Sequence, residues 1–160
     1  MASNKQVTGM RGVYLVAAEL SKHGFIASPT SRSAHGADIL ATDAECKRAF
    51  SIQVKTKSTR ASYWLLHRDD KRFVSDSHIY VFVNIKGDGG PAEFFIIPSK
   101  AVANKAYAER FGKHIWYSFT VEDAKPYQDR WDLFRGSPAR IAALSSRKAA
   151  SVSSARTIKR

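Results

Sequence analysis

The segment AFSIQVKTK, residues 49–57, constrains the fold more than any other part of the chain. Its composition is typical of a β-strand, in which successive side chains point to opposite faces. Ile52 and Val54 then share one face, while Gln53 and Lys55 share the other. A strand this hydrophobic belongs to the inner part of a small sheet, so the two polar side chains on one face require an explanation.

An amphipathic helix is predicted ahead of the strands, over residues 6–23. Apolar residues recur there at spacings of three and four, which places them in one stripe of a helix. The stripe consists of Met10, Val13, Tyr14, Ala17 and Leu20. Gly24 is well placed to end the helix, because glycine readily adopts the backbone conformation found after a last helical turn.

The remaining segments indicate an α/β fold. The β-rich segments are FIAS (25–28), ADILATD (37–43), AFSIQVKTK (49–57), YWLL (63–66), HIYVFVNIK (78–86) and AEFFIIP (92–98). ADILATD and AFSIQVKTK are expected to form a hairpin. Helices are predicted over residues 100–110, with Ser99 as N-cap, and over residues 139–150. The aromatic-rich segments HIWYSF and YQDRWDLF are expected to close over the core. This order predicts a three-layer sandwich in which a central mixed β-sheet is flanked by helices.

The charge of the chain points to a polyanionic partner. Basic residues outnumber acidic ones by 26 to 14, a formal net charge of +12, and residues 135–160 hold seven basic residues and no acidic one. Such an excess is expected of a protein that binds nucleic acid. A tail that only solubilises the chain has the same composition, so charge alone leaves both interpretations open.

The length of 160 residues suits one domain. We predict a domain over residues 1–134 and a basic C-terminal helix and mobile tail over residues 135–160. There is no apolar run of membrane-spanning length, no signal-peptide core at the amino terminus, and a single cysteine, Cys46. These features predict a cytoplasmic protein without membrane contact. The sequence leaves open whether the chain forms a homodimer.

The polar residues of the predicted hairpin are the candidate site. Asp38 opens one strand, and antiparallel pairing brings it to the same side of the sheet as Gln53 and Lys55. A carboxylate and an amide carbonyl are hard oxygen ligands of the kind that Mg²⁺ takes while it keeps several waters. A nearby lysine can orient a metal-bound water or stabilise charge on a phosphate. The alternative is that these residues are only the polar face of a half-exposed hairpin.

The succession of GADIL and IQVKT behind an amino-terminal amphipathic helix resembles the restriction-endonuclease-like, or PD-(D/E)XK, nuclease superfamily. The later segments YVFVNIKG, EFFIIPSKAVA and DRWDLF are similar to a bacterial branch with this core. The resemblance implies a core of helix, three strands, helix and strand. It also implies that Asp38 and Gln53 hold Mg²⁺ or Mn²⁺ and that Asp38, Gln53 and Lys55 are catalytic.

One position departs from the pattern of this superfamily. Many members carry a glutamate on the first helix, and the matching position here is Val13. Glu19 lies about 240° further around the helix and is expected to pair with Lys22 on the solvent side. The site then offers one carboxylate charge, and its affinity for a divalent cation is expected to be correspondingly lower.

Basic and aromatic residues elsewhere in the chain are candidates for contact with nucleic acid. The basic residues around the loop after the third strand are expected to contact phosphates, or alternatively to form a solvated loop; they are Lys57, Arg60, Arg68, Lys71 and Arg72. The aromatic residues Tyr63, Trp64, Trp116, Tyr117 and Trp131 are candidates for base stacking, but aromatic residues beside strands more often belong to the core. Asp69 and Asp70 are expected to form surface ion pairs. His35 is expected to be a solvated loop residue.

Three functions are compatible with the sequence. The first is a Mg²⁺- or Mn²⁺-dependent endonuclease that binds nucleic acid, with DNA the expected substrate, and hydrolyses phosphodiester bonds. The second is a catalytically degenerate nuclease fold that binds DNA without cleaving it. The third is a protein-interaction module that holds an acidic surface with its basic tail.

Overall fold

A computed structural model describes residues 4–31, 36–86 and 90–135 of the chain. Its helices and strands are α1 (Asn4–Lys22), β1 (Phe25–Pro29), β2 (Ile39–Asp43), β3 (Ala49–Lys57), β4 (Tyr63–Leu66), β5 (His78–Ile85), β6 (Ala92–Pro98), α2 (Ser99–Lys105), β7 (Tyr107–Phe111), β8 (His114–Thr120) and α3 (Val121–Ala124). The predicted helix over residues 139–150 and the proposed tail lie outside the described residues. Among the described helices, none has the length and apolar character needed to cross a bilayer.

The central sheet has five strands in the order β1-β2-β3-β5-β6. The predicted hairpin of β2 and β3 is confirmed. β3 and β5 pair in parallel, whereas the pairs β1–β2, β2–β3 and β5–β6 are antiparallel. A parallel pair needs a crossover connection, for which the resemblance implied a helix. The chain instead uses β4 and a 3₁₀ turn, Arg68–Lys71, between these two strands. The sheet is mixed, as predicted.

One face of this sheet is covered by α1. The helix buries Gly12, Val13, Val16 and Leu20 against the sheet. Tyr14 was wrongly assigned to this stripe, because its side chain is 60% exposed. The buried arc is rotated toward Gly12, whose missing side chain lets the helix approach β3. The 3₁₀ segment Trp131–Phe134 completes this core, so the second aromatic-rich segment does close over it.

The close approach at Gly12 gives a stability prediction. A Cβ atom added there would lie 1.8 Å from the Thr56 side-chain oxygen. We expect Gly12→Ala to lower the free energy of unfolding by about 1–3 kcal/mol, since overpacking outweighs the better helix propensity of alanine. Gly9→Ala is the matched control, because no atom from outside the backbone of its own helix lies within 4 Å of its added Cβ. Urea denaturation compares the two variants, and an equal effect of both would contradict the packing described.

The other face of the central sheet is covered by a second sheet, which the sequence did not predict. This sheet has the order β4-β8-β7. Its inner face buries Trp64 and Phe119 against Tyr80 and Phe82 of β5, and α2 adds Val102. The first aromatic-rich segment, HIWYSF, therefore covers the core only through its last residues.

The prediction of a helix over residues 100–110 was wrong in its second half. It ends at Lys105, and residues 107–111 form β7, which pairs with β8. Ser99 is the first helical residue rather than the N-cap. Its hydroxyl instead donates to the Ser75 carbonyl (2.8 Å) and accepts from the Ser75 amide (3.1 Å).

Candidate active site

Asp38 lies one residue before β2, where its backbone amide donates to the Ile52 carbonyl at 2.8 Å. This bond continues the β2–β3 ladder and turns the Asp38 side chain toward β3. Its Oδ2 accepts a hydrogen bond from the Gln53 side-chain amide and another, at 2.7 Å, from the Val54 backbone amide. The structure thus brings Asp38 and Gln53 into direct contact, on the side of the sheet that also carries Lys55.

Lys55 forms an ion pair that the sequence analysis missed. Its Nζ lies 2.7 Å from Oδ2 of Asp70, and the two side chains are only 12% and 8% exposed. The same Asp70 oxygen accepts from the His67 backbone amide at 2.7 Å, and the Tyr80 hydroxyl donates to the Asp70 carbonyl at 2.8 Å. The prediction of a surface pair was therefore wrong for Asp70, because the 3₁₀ turn of the crossover carries it into the site.

The site holds two carboxylates and one ammonium group. Burial raises the pKa of Asp38, and the negative charge of Asp70 raises it further. The Val54 amide and the Lys55 charge act in the opposite direction. Burial, together with both carboxylates, also raises the pKa of Tyr80. A cation close to Asp38 would therefore offset the free-energy cost of burying the carboxylate charge of Asp38.

A cleft of about 1260 Å³ opens beside these residues. Its lining comes from the amino-terminal half of α1, the carboxyl-terminal part of β3, β4 and the 3₁₀ turn, and it includes Asp38, Gln53, Lys55 and Asp70. Val13 also lines the cleft, so an apolar side chain stands where the resemblance implies a glutamate. Glu19 pairs with Lys22 at 2.5 Å, as predicted.

Of the five basic residues proposed for phosphate contact, one lines the cleft and four lie outside its lining. Lys57 lines the cleft, where its Nζ donates to the Ala61 carbonyl at 2.5 Å and lies 4.9 Å from the centre of the Trp64 ring. Burial lowers the pKa of Lys57. The other four, which lie outside the cleft lining, are Arg60, Arg68 and Arg72, all exposed, and Lys71, whose Nζ is 5.4 Å from the Tyr117 ring. His35 lies outside the described residues.

The comparison with one solved structure supports the fold. The bacterial homing endonuclease I-Ssp6803I matches with a TM-score of 0.53 at 15% sequence identity, over 91% of this chain and 99% of that chain. The chain has a restriction-endonuclease-like fold. Hjc, a Holliday junction resolvase of Archaeoglobus fulgidus, gives a TM-score of 0.48 at 15% identity, over 74% of this chain and 88% of that chain. No protein-family model and no curated protein matches this chain.

Within this restriction-endonuclease-like fold, the donor atoms fit a lightly ligated cation. Asp38 offers a desolvated carboxylate, and Gln53 uses its amide nitrogen toward Asp38, which leaves its carbonyl oxygen as the hard ligand. Across residues 4–31, 36–86 and 90–135, no group of three or more His, Cys, Asp or Glu side chains could hold a metal ion. A cation held by one carboxylate and one amide oxygen would have to keep waters or take substrate oxygens, as Mg²⁺ does.

His78, next to this site, gives a prediction of pH dependence. It is 5% exposed, and its Nδ1 lies 2.8 Å from the Ser51 hydroxyl. Burial lowers the pKa of His78 below 6.5, although Asp70 and Ser51 act in the opposite direction. The unfolded chain therefore binds the proton first as the pH falls, and stability decreases below about pH 6.5, by at most about 1.4 kcal/mol per pH unit.

Urea denaturation between about pH 7 and 5 measures this effect. His78→Asn should flatten the dependence, because the amide does not titrate in this range, whereas His114→Asn on an exposed part of β8 should leave it unchanged. An unchanged slope in His78→Asn would exclude His78 as the cause.

Proposed function

We propose that the chain binds nucleic acid, with DNA the expected substrate, and hydrolyses phosphodiester bonds with Mg²⁺ or Mn²⁺. The proposal depends on one observation above all, the contact between Asp38 and Gln53 beside Lys55 in the large cleft. The likeness to a homing endonuclease concerns the fold alone and is compatible with this function. The chemistry must come from the residues of the site.

Each residue of the site has a definite role in this proposal. Asp38 and the carbonyl oxygen of Gln53 would hold the metal ion, which supplies a water of lowered pKa and neutralises charge on the phosphate. Lys55 orients the attacking water or stabilises the negative charge that develops on the phosphate. Asp70 fixes the position of the Lys55 ammonium through the 2.7 Å ion pair, and is therefore a positioning residue.

The substrate would be held through its phosphates. The cleft lining includes Lys5 and Lys57 in addition to Lys55, and the chain as a whole has a formal net charge of +12. Contacts of this kind bind the backbone without reading sequence. Arg60, Arg68, Lys71 and Arg72 are proposed to contact phosphates outside the cleft.

A catalytically degenerate DNA-binding protein is the second candidate, and two observations favour it. Val13 lines the cleft in place of an acid, and Asp70 compensates the charge of Lys55. This candidate predicts salt-sensitive DNA binding without calorimetric heat from Mg²⁺ or Mn²⁺ at millimolar concentration. A protein-interaction module, the third candidate, predicts DNA affinity that is unaffected by salt and by deletion of residues 135–160.

Nicking of supercoiled plasmid in Mn²⁺ tests the proposed function. We expect cleavage by the wild-type protein and none by Asp38→Ala or Lys55→Ala. Asp43→Ala is the matched control, because Asp43 lies at the other end of β2 and pairs with Arg48 at 2.7 Å rather than lining the cleft. Equal cleavage by the wild type, Asp38→Ala and Lys55→Ala would refute the assignment.

A further inference from the structure

The second sheet presents large apolar side chains to solvent on its outer face. The register pairs Leu65 of β4 with Ser118 of β8, and Ser118 with Tyr107 of β7. Directly paired residues lie on the same face of a sheet, as do residues two apart on one strand. We call the exposed large apolar side chains of this face the aromatic platform. They are Tyr63 (44% exposed), Leu65 (52%), Tyr107 (56%) and Trp116 (51%).

The aromatic platform is distinct from the core of the same sheet. Trp64 and Phe119, on the opposite face, are 2% and 0% exposed. Tyr107 and Leu65 are each diagonal neighbours of Trp116, at a typical separation of about 7–8 Å. Apolar side chains grouped in this way on one face indicate a binding surface rather than chance exposure.

The platform is continuous with the cleft that holds the candidate active site. Tyr63 and Leu65 line the cleft together with Asp38 and Lys55, whereas Trp116 lies beyond its lining. A chain molecule that occupies the cleft and leaves it over β4 would therefore meet Tyr63 and Leu65 first, and then Trp116 and Tyr107.

The net charge of the protein favours a polyanion over a second copy of the chain as the molecule that covers the aromatic platform. Two copies of a chain with a formal net charge of +12 repel each other, which disfavours a face-to-face dimer. On this face the register places the acidic Glu109 opposite Trp116, whereas Arg110 pairs with Ile115 on the other face and Lys113 lies in the turn between β7 and β8. A polyanion with planar faces satisfies both the charge and the exposed rings. In a duplex those planar faces are already stacked on each other, whereas in a single strand they are available.

We propose that the aromatic platform stacks the bases of an unpaired nucleic-acid strand that extends from the cleft. The inference deepens the proposed function by naming the substrate class, a nucleic acid with a single-stranded segment beside the cleavage site. It depends on that function only in requiring nucleic acid in the cleft, and not on catalysis.

Fluorescence anisotropy in EDTA tests the platform without any cleavage. The probes are a labelled oligothymidylate of about 20 nucleotides and a duplex of the same length at the same salt concentration. Trp116→Ala and Tyr107→Ala should each weaken binding of the single strand roughly tenfold and change binding of the duplex by less than about twofold. Tyr14→Ala is the matched control, because Tyr14 is 60% exposed on α1, and it should change neither affinity.

Intrinsic tryptophan fluorescence gives a second readout that does not depend on alanine variants. Of the three tryptophans, Trp64 and Trp131 are 2% and 7% exposed, so stacking on bases should quench the emission of Trp116 alone. Trp116→Phe keeps a ring for stacking. It should therefore retain affinity for the single strand and lose the quenching.

The outcomes separate the platform from the proposed function. Quenching that persists in Trp116→Phe, or an equal loss of single-strand and duplex affinity in the alanine variants, would overturn the platform alone. A wild-type dimer that Trp116→Ala converts to a monomer with unchanged affinity would assign this face to a second copy. Absence of binding to both probes would overturn the platform, whereas the proposed function is overturned separately, by the plasmid-nicking assay in Mn²⁺.

Discussion

Asp70→Ala is expected to lower the free energy of unfolding by about 3–5 kcal/mol. Asp70 and Lys55 form a 2.7 Å ion pair with side chains only 8% and 12% exposed. Removal of the carboxylate leaves the Lys55 ammonium in a desolvated position without its partner, and also leaves the His67 amide without its acceptor. Urea denaturation at neutral pH measures the loss.

Two controls separate the buried charge from a general effect of mutation at this site. The double variant Lys55→Met, Asp70→Leu removes both charges and should recover most of the loss, because an apolar pair of similar volume replaces a buried ion pair at little cost. Glu122→Ala breaks the ion pair of Glu122 with Lys125, whose side chains are 81% and 61% exposed, and should cost under about 1 kcal/mol. A cost for Asp70→Ala no greater than that of Glu122→Ala would contradict the burial described.

Gln53→Glu is expected to raise the affinity for Mn²⁺ by at least about tenfold. The site has one carboxylate, Asp38, in contact with residue 53, and the variant adds a second negative charge there. Two unit charges about 4 Å apart interact by about 4 kcal/mol at a dielectric constant near 20, and a tenfold gain needs only about 1.4 kcal/mol of this. Isothermal titration calorimetry measures the affinity.

The same variant should be less stable than the wild type when metal is absent. The Gln53 amide donates to Asp38, and a carboxylate at that position repels it instead. Mn²⁺ should therefore restore the thermal stability of Gln53→Glu more than that of the wild type. Gln128→Glu adds the same charge at an exposed position outside the cleft and should change neither property. An equal gain in Mn²⁺ affinity in both variants would show a non-specific charge effect.

The placement of Asp38 and Gln53 on one side of the sheet could be inferred from sequence, because it depends on the pairing of two strands that are neighbours in the chain. A hairpin with a defined alternation of side chains fixes which residues share a face, and the short connection between β2 and β3 fixes the register. The helix α1 and strands such as β5 were likewise predictable from runs of apolar residues with a clear period. The assignment of Tyr14 to the buried stripe of α1 was wrong, because periodicity does not define the centre of the buried arc to within one residue.

Asp70 could not be inferred, because its burial depends on the path of a crossover with no periodic pattern. The segment around it is rich in charge, and such segments usually lie at the surface. Its place beside Lys55 follows from the parallel pairing of β3 and β5 and from the Tyr80 hydroxyl that anchors the turn. The second sheet was missed for a related reason, since β7 acquires its structure by pairing with β8.

Mn²⁺ binding measured by electron paramagnetic resonance, in the presence of a DNA duplex, tests the central claim most directly. The claim is that Asp38 and Gln53 together form a metal site beside Lys55. We predict one Mn²⁺ ion bound per wild-type chain, loss of that ion in Asp38→Ala, and its retention in Asp43→Ala. Absence of binding at millimolar Mn²⁺, or the same binding in Asp38→Ala as in the wild type, would contradict the account.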